Sequence, residues 1–316
     1  MPIEKLLQIN APSPLQELTL ESGKQLWCKR DDQLHDIISG NKWRKLKPLV
    51  EQLVLHPQQH IASFGGAYSN HLHALSYLCN QLNIRFTALV RAHPHSALTP
   101  TLQDLTNWGA SIHFLSRHDY KRRDDKTFLT SLQADLSIDT LVPEGGSSPD
   151  SLNGVADIFR ELQTQDRRDF DLIVLPVASG GTMAGLIKYI QAKQLDTKVL
   201  GIAVLKGQGY LEQLVTDLLL ADTPKPPANS PPARHTTHRH WEIVHDERYH
   251  CGGYAKVNAQ LLSFKHSFYQ QHNIKLDNIY NTKSFYALSH LISEKKLDEY
   301  QRILILHTGG LQGDRS

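Results

Sequence analysis

Short apolar runs alternate with stretches in which apolar residues recur every three to four positions, and this rhythm persists through most of the chain. The runs cover residues 60–64, 85–90, 111–115, 171–177, 198–204 and 303–307, and most are continuous rather than alternating. A strand that is apolar on both sides is covered on both faces, as strands of a parallel sheet are. Between the runs, Leu46, Val50, Leu53 and Val54 fall at helical spacing, as do Leu72, Leu75, Leu78 and Cys79, and Leu186, Tyr189 and Ile190. Each stripe is expected to face a core. Strands joined by crossover helices predict the α/β class, with parallel or mixed sheets and flanking helices. Gly109 reads as a helix stop, and Pro149-Asp150 as a helix start.

Two stretches break the rhythm. Arg122-Arg123-Asp124-Asp125, within residues 119–126, is a mixed-charge run expected to open a solvated helix. Residues 223–240 are too rich in proline and polar side chains for strand or helix, so a surface loop is expected. That loop carries His235, His238 and His240, but no cysteine pair or HExxH spacing accompanies them, and no metal site is expected.

A length of 316 residues suggests about two domains of roughly 150 residues each. Lys plus Arg number 34 against 32 Asp plus Glu, a net charge of +2, so no long-range field argues for a nucleic acid or an anionic membrane. Any bound anion is bound locally. Three scattered cysteines, Cys28, Cys79 and Cys251, form no disulfide framework and no CxxC motif. The start of the chain shows no secretory pattern and no run approaches the ~20 apolar residues of a membrane span, so a cytoplasmic protein is expected.

The chemistry concentrates at three turns. Residues 175–186, Leu-Pro-Val-Ala-Ser-Gly-Gly-Thr-Met-Ala-Gly-Leu, read as strand, Gly-Ser-Thr loop and helix. Such a turn aims freed backbone N–H groups and the positive end of a helix dipole at an anion, with Ser179 and Thr182 adding hydroxyl donors beside Gly180 and Gly181. No lysine follows as in a Walker loop and the spacing is not GxGxxG, so ATP and dinucleotides are disfavoured. An empty tight turn is an equally good reading of that segment by itself. The second turn, Ser39-Gly40-Asn41-Lys42-Trp43-Arg44-Lys45, opens a helix with an amine that can be aimed into a cleft. The third, Ser63-Phe64-Gly65-Gly66-Ala67-Tyr68-Ser69-Asn70-His71, is again strand, glycine turn and polar helix start, where Ser69 and Asn70 also suit plain capping. Two glycine turns at the C-terminal ends of strands lie where open parallel sheets bind ligands.

In this order, Lys29-Arg30-Asp31-Asp32, Gly40-Asn41-Lys42-x-Arg44-Lys45-Leu46, Gly66-x-x-Ser69-Asn70-His71, Pro143-Glu144-Gly145-Gly146, Ser179-Gly180-Gly181-Thr182-x-Ala184-Gly185, Asp277-x-x-Tyr280-x-x-Lys283 and His307-Thr308-Gly309-Gly310 make the chain resemble one family over nearly its whole length. That family is the fold type II, tryptophan synthase β-like enzymes that use pyridoxal 5'-phosphate, in their 1-aminocyclopropane-1-carboxylate deaminase and D-cysteine desulfhydrase branch. The resemblance implies a larger cofactor domain of residues 1–45 plus 151–316 and a smaller α/β domain of residues 46–150. It also implies that Lys42 binds the cofactor as a Schiff base and carries protons, with Lys45 as the rival amine. Cationic neighbours such as Arg44 and Lys45 are expected to favour the amine form of Lys42. On the same resemblance Ser179, Gly180, Gly181 and Thr182 hold the phosphate and Asn70 meets the phenolic oxygen of the ring. Ser69 then lies near the substrate carboxylate or the Cα proton, and Tyr254 and Tyr280 match active-site tyrosines, half-buried packing being their other reading.

The deaminases carry Glu after that tyrosine and Leu before the Gly-Gly pair, whereas this chain has Asn281 and Thr308. A hydroxyl beside the pyridine nitrogen leaves it neutral and suits β-elimination. The expected activity is therefore β-elimination on a small amino acid, D-cysteine for instance, giving keto acid, ammonia and sulfide. Ring opening of aminocyclopropane carboxylate and non-catalytic binding of a phosphorylated small molecule are the alternatives. His73 stands where the branch usually has Arg, and Asn281-Thr282 replaces the usual Thr-Gly, so substrate contacts are expected to differ. Dimers are usual in the family.

Overall fold

The computed structural model describes residues 2–19, 23–56, 59–93, 97–166, 169–221 and 240–314. All but the last residue of the Pro/His-rich segment 223–240 lie outside the described residues. The chain divides into two compact units: residues 1–14, 30–147 and 308–316 form the first, and residues 15–29 and 148–307 the second. The cut at 147/148 falls close to the expected one at 150/151. Residues 1–14 and 30–45, expected with the C-terminal half, pack in the first unit.

In the first unit, four strands, β3 (His60–Gly66), β4 (Arg85–Arg91), β5 (Ser111–Leu115) and β6 (Thr140–Val142), form an all-parallel sheet in the order β5-β4-β3-β6. Along β3 and β4, Ile61, Phe86, Ala88 and Val90 join one hydrophobic cluster while Ala62, Phe64 and Leu89 join another. Successive side chains point to opposite faces of a strand, so both faces of this sheet are packed. Helices Asn41–Leu55 and Asn70–Gln81 supply Leu46, Val50, Leu53, Leu72, Leu75, Leu78 and Cys79 to the first cluster, which accounts for their helical spacing.

The second unit holds a six-stranded sheet of β1 (Leu15–Leu18), β2 (Gln25–Lys29), β7 (Leu172–Val177), β8 (Lys198–Ala203), β9 (Trp241–Val244) and β10 (Arg302–Leu306), in the order β1-β2-β10-β7-β8-β9. Only β1 is antiparallel to its neighbour. The same alternation recurs: Ile173, Leu175 and Val177 face one core, Leu172 and Val174 the other. The α/β reading with parallel and mixed sheets therefore holds. Four strands, β1, β2, β6 and β9, carried no sequence signal, because each is short and only part of each is buried. The mixed-charge run resolves into the end of helix Arg117–Lys121 and an Asp125 cap on helix Lys126–Leu136.

A buried ion pair organises the N-terminal part of the first unit. Arg44 and Asp31 are 1% and 2% exposed, far less than surface ion pairs, and Arg44 Nη2 donates to Asp31 Oδ1 at 2.8 Å and Nε to Oδ2 at 3.1 Å. Ser13 Oγ donates to the same Oδ1 at 2.6 Å, and the Asp31 main-chain carbonyl accepts from Gly40 N at 2.8 Å. Removing one member strands a charge without solvent, which costs about 3–5 kcal/mol, whereas removing both is far milder. Asp31→Ala is expected to lower the urea midpoint by an amount equivalent to about 3–5 kcal/mol, and the double variant Asp31→Leu/Arg44→Met to lose clearly less. A single variant as stable as the parent contradicts the structural role of the pair.

Candidate active site

Three turns of the first unit meet around the start of the Asn41–Leu55 helix. Gly40 adopts φ +65°, and a Cβ there would overlap the backbone carbonyl of Thr308, so glycine is required for this approach. Asn41 N donates to that Thr308 carbonyl at 3.2 Å. Lys42, the second residue of the helix, is partly buried and its Nζ donates to Asn41 Oδ1 at 2.9 Å. Thr308 is buried at the same place.

Arg44 does not supply the expected cationic neighbour. Its guanidinium is bound along one edge by both oxygens of the Asp31 carboxylate, so its charge is paired there. Lys45 is the relevant neighbour: fully buried, it donates from Nζ to Ser147 Oγ at 3.0 Å. Burial first, and the nearby charge of Lys42 second, hold its amine well below the usual lysine range.

Ser69 and Asn70 open the Asn70–Gln81 helix. Ser69 Oγ accepts from Leu72 N at 3.2 Å, so the capping reading is correct for Ser69, and its hydroxyl proton stays available for donation. Asn70 is different: its Oδ1 is buried and has no hydrogen-bond partner. Buried polar atoms are ordinarily satisfied, so this one is an acceptor or, with the amide turned over, a donor in want of a ligand.

His71 was part of a motif but had no role, and the structure gives it one. Ser63 Oγ donates to the Val142 carbonyl at 2.8 Å and lies 2.8 Å from His71 Nε2. With its proton spent on Val142, the Ser63 oxygen accepts from Nε2–H, so Nδ1 is the bare nitrogen. That Nδ1 is buried without a partner. Burial, then Lys42 and Lys45, keep the ring well below the ordinary histidine pKa, so it remains neutral.

The second unit carries the anion cradle and the tyrosines. After β7, Gly180 takes φ +73° and the helix Gly181–Lys193 begins; a Cβ on Gly180 would press on Val215 at 3.1 Å. The first N–H groups of this 13-residue helix have no intrahelical acceptor, and Ser179 and Thr182 bring hydroxyls to the same end. Tyr254 and Tyr280 meet hydroxyl to hydroxyl at 2.9 Å with their rings edge to face. Tyr254 is 48% exposed, so it is half-buried against Tyr280 while part of its ring faces solvent. Behind Tyr280, Asp277 accepts from the backbone N–H of Ile279, Tyr280 and Asn281 and from Asn281 Nδ2 at 2.6 Å. Asn281 thus shapes the helix start instead of offering a free amide.

In the first unit the amines and an amide whose Oδ1 has no partner stand at helix starts and suit an aldehyde and a phenolic oxygen. In the second, a helix N-terminus with two hydroxyls and a glycine turn suits a phosphate. The state of His71 is open to direct measurement. In the resting protein its ring carbon shifts in a histidine-labelled NMR sample are expected to stay flat from pH 8 down to pH 6, because a depressed pKa moves protonation below that window. An inflection near pH 6.5 contradicts the burial argument.

The family model of pyridoxal-phosphate dependent enzymes matches residues 6–309. A mitochondrial bifunctional D-cysteine desulfhydrase/1-aminocyclopropane-1-carboxylate deaminase of Arabidopsis thaliana is 28% identical over 96% of this chain and 77% of its own length. A D-cysteine desulfhydrase of Salmonella choleraesuis is 25% identical over 97% of this chain and 94% of its own. Among solved structures, an ACC deaminase homologue superposes with a TM-score of 0.77 at 24% identity, covering 98% of this chain and 95% of that one. The chain belongs to the pyridoxal-phosphate dependent enzymes, and pyridoxal 5'-phosphate is its cofactor.

Proposed function

We propose that this enzyme is a lyase that carries out β-elimination on a small amino acid in the manner of a D-cysteine desulfhydrase, releasing a keto acid, ammonia and sulfide. The observation that carries this reading lies at positions 281 and 308. Asn281 is buried with its amide given to Asp277, and Thr308 is a buried hydroxyl residue, so position 281 lacks the glutamate and position 308 the leucine that the resemblance associates with ring opening. The Salmonella choleraesuis and Arabidopsis thaliana relatives, both named for D-cysteine desulfhydrase activity, support it.

Lys42 Nζ is the amine that would hold the cofactor through its aldehyde and accept the Cα proton of the substrate. Its hydrogen bond to Asn41 Oδ1 fixes the amine at the helix start. Burial holds the amine of Lys45, close by in the same helix, well below the usual lysine range. The backbone of Gly180 and Gly181 and the hydroxyls of Ser179 and Thr182 would hold the phosphate, and the Asn70 amide would meet the ring's phenolic oxygen. Ser69 keeps a donor for the substrate carboxylate or Cα region, and Tyr254 and Tyr280 act at the leaving-group side. The bound cofactor supplies an electron sink for the negative charge left at Cα. Thr308 would offer the ring nitrogen a hydroxyl instead of a carboxylate, which would make the sink shallower; that suffices when a group leaves Cβ and takes the charge with it. We further propose a cytoplasmic homodimer, dimers being usual for the enzymes it resembles.

Opening of 1-aminocyclopropane-1-carboxylate is the second reading, favoured by the bifunctional name of the Arabidopsis thaliana relative. A steady-state panel of D-cysteine, β-chloro-D-alanine, D-serine and 1-aminocyclopropane-1-carboxylate separates the two. The first two are expected to turn over at least tenfold faster than the last, and turnover of the last alone overturns the elimination reading. For the amine, Lys42→Ala is expected to abolish the borohydride-trapped cofactor adduct and to lower kcat by at least 1000-fold, whereas Lys45→Ala keeps the adduct, as mass spectrometry of the trapped peptide shows. Loss of the adduct in Lys45→Ala alone assigns the wrong lysine.

A further inference from the structure

Lys283 is the one residue of the Asp277-x-x-Tyr280-x-x-Lys283 motif to which the reaction assigns nothing. It is fully buried in the second unit, one turn beyond Tyr280 in the helix Asn281–Ser293. Its Nζ donates to three main-chain carbonyls: Val204 at 3.1 Å, His250 at 3.0 Å and Gly253 at 3.0 Å. An ammonium has three N–H donors, so the three carbonyls saturate it, and no other side chain could bring three donors to one point at the end of an apolar stem. The carbonyls come from two segments, the end of β8 and residues 250–253. Val204 follows β8, His250 ends the helix Glu247–His250, and Gly253 immediately precedes Tyr254.

Burial pulls the amine down to about 8, opposed by Cys251 and Asp277, which leaves the ammonium in excess at neutral pH. The same helix start therefore grips the 250–254 segment twice: Tyr280 through the hydroxyl of Tyr254, and Lys283 through the backbone one residue earlier. The hydroxyl contact between two tyrosines is weak and one partner is exposed, so it cannot fix the loop alone. The charge-assisted contacts are stronger, those to Val204 and His250 buried and that to Gly253 part-buried.

We propose that Lys283 is the positioning residue of the reaction, its Nζ gathering the carbonyls of Val204, His250 and Gly253 so that the Tyr254 hydroxyl is held against that of Tyr280. This rests on the reading of Tyr254 and Tyr280 as active-site tyrosines. Lys283→Met keeps the stem and leaves three carbonyls without a donor; Lys283→Ala opens a space that n-propylammonium fills.

The experiment is hydrogen exchange by mass spectrometry together with steady-state kinetics on D-cysteine, both on holoenzyme. In Lys283→Met, protection of the amides of residues 250–254 is expected to fall at least tenfold, with less than a twofold change in residues 284–293. The kcat/KM value is expected to fall at least tenfold with the cofactor absorbance retained. Adding Tyr254→Phe to Lys283→Met should cost less than threefold more, since the tyrosine is already displaced. n-Propylammonium, and not n-propanol, should restore protection and kcat/KM in Lys283→Ala by at least threefold. Unchanged protection of residues 250–254, loss spread evenly through the helix, or full multiplication of the two single effects each overturns the proposal. If Lys283→Met is recovered unfolded, Lys283→Ala refolded with n-propylammonium decides, and a yield no better than with n-propanol counts against it. Should Tyr254→Phe itself leave kcat/KM unchanged, the reading of Tyr254 fails and the proposal with it; loosened exchange in that case shows that the lysine grips the loop but positions nothing catalytic.

Discussion

Asp31 and Arg44 form a charge pair that water cannot reach, and the geometry around Lys42 depends on it. The carboxylate of Asp31 binds Arg44 and Ser13 while its own backbone carbonyl binds Gly40 N. One residue thereby ties the N-terminal segment, the Asp31–Gln33 turn and the entry of the lysine-bearing helix together. Because a buried charge tolerates no loss of its partner, this arrangement has essentially one low-energy geometry. Gly40 completes it, since only a residue without a Cβ lets the chain pass the Thr308 carbonyl.

The same pair changes the electrostatics of the amine. A sequence in which Lys42, Arg44 and Lys45 stand close together suggests three mutually repelling cations. Folding neutralises one of them with Asp31 and desolvates another, Lys45, against Ser147. Beside Lys42 lie a Lys45 whose amine burial holds well below the usual lysine range and a neutral His71. Such surroundings suit an amine that must exchange protons near neutral pH.

In the second unit, backbone carbonyls do comparable work. Asp277 collects four donors at the start of the Asn281–Ser293 helix, and Lys283 three acceptors just beyond. Tyr280 sits between these two buried centres. Its position is thus set by main-chain hydrogen bonding on both sides, and its hydroxyl meets Tyr254 from a fixed point.

The α/β class, six of the ten strands among the described residues and the three glycine turns were legible in the sequence, because continuous apolar runs and helical stripes follow directly from burial on two faces. The strands that left no trace, such as Thr140–Val142 and Trp241–Val244, are short and partly exposed, so pairing with a neighbour defines them more than their own side chains do. The motif residues could be named from the linear order, yet their states could not. That Arg44 is spent on Asp31 and that Lys283 gathers three carbonyls are facts about groups 13 to 79 positions apart, and that Asn70 Oδ1 and His71 Nδ1 lack partners emerges only once they are packed. Composition and periodicity fix which residues must leave water; which polar atoms they then find there, and so which are left for a ligand, is decided only when distant segments pack.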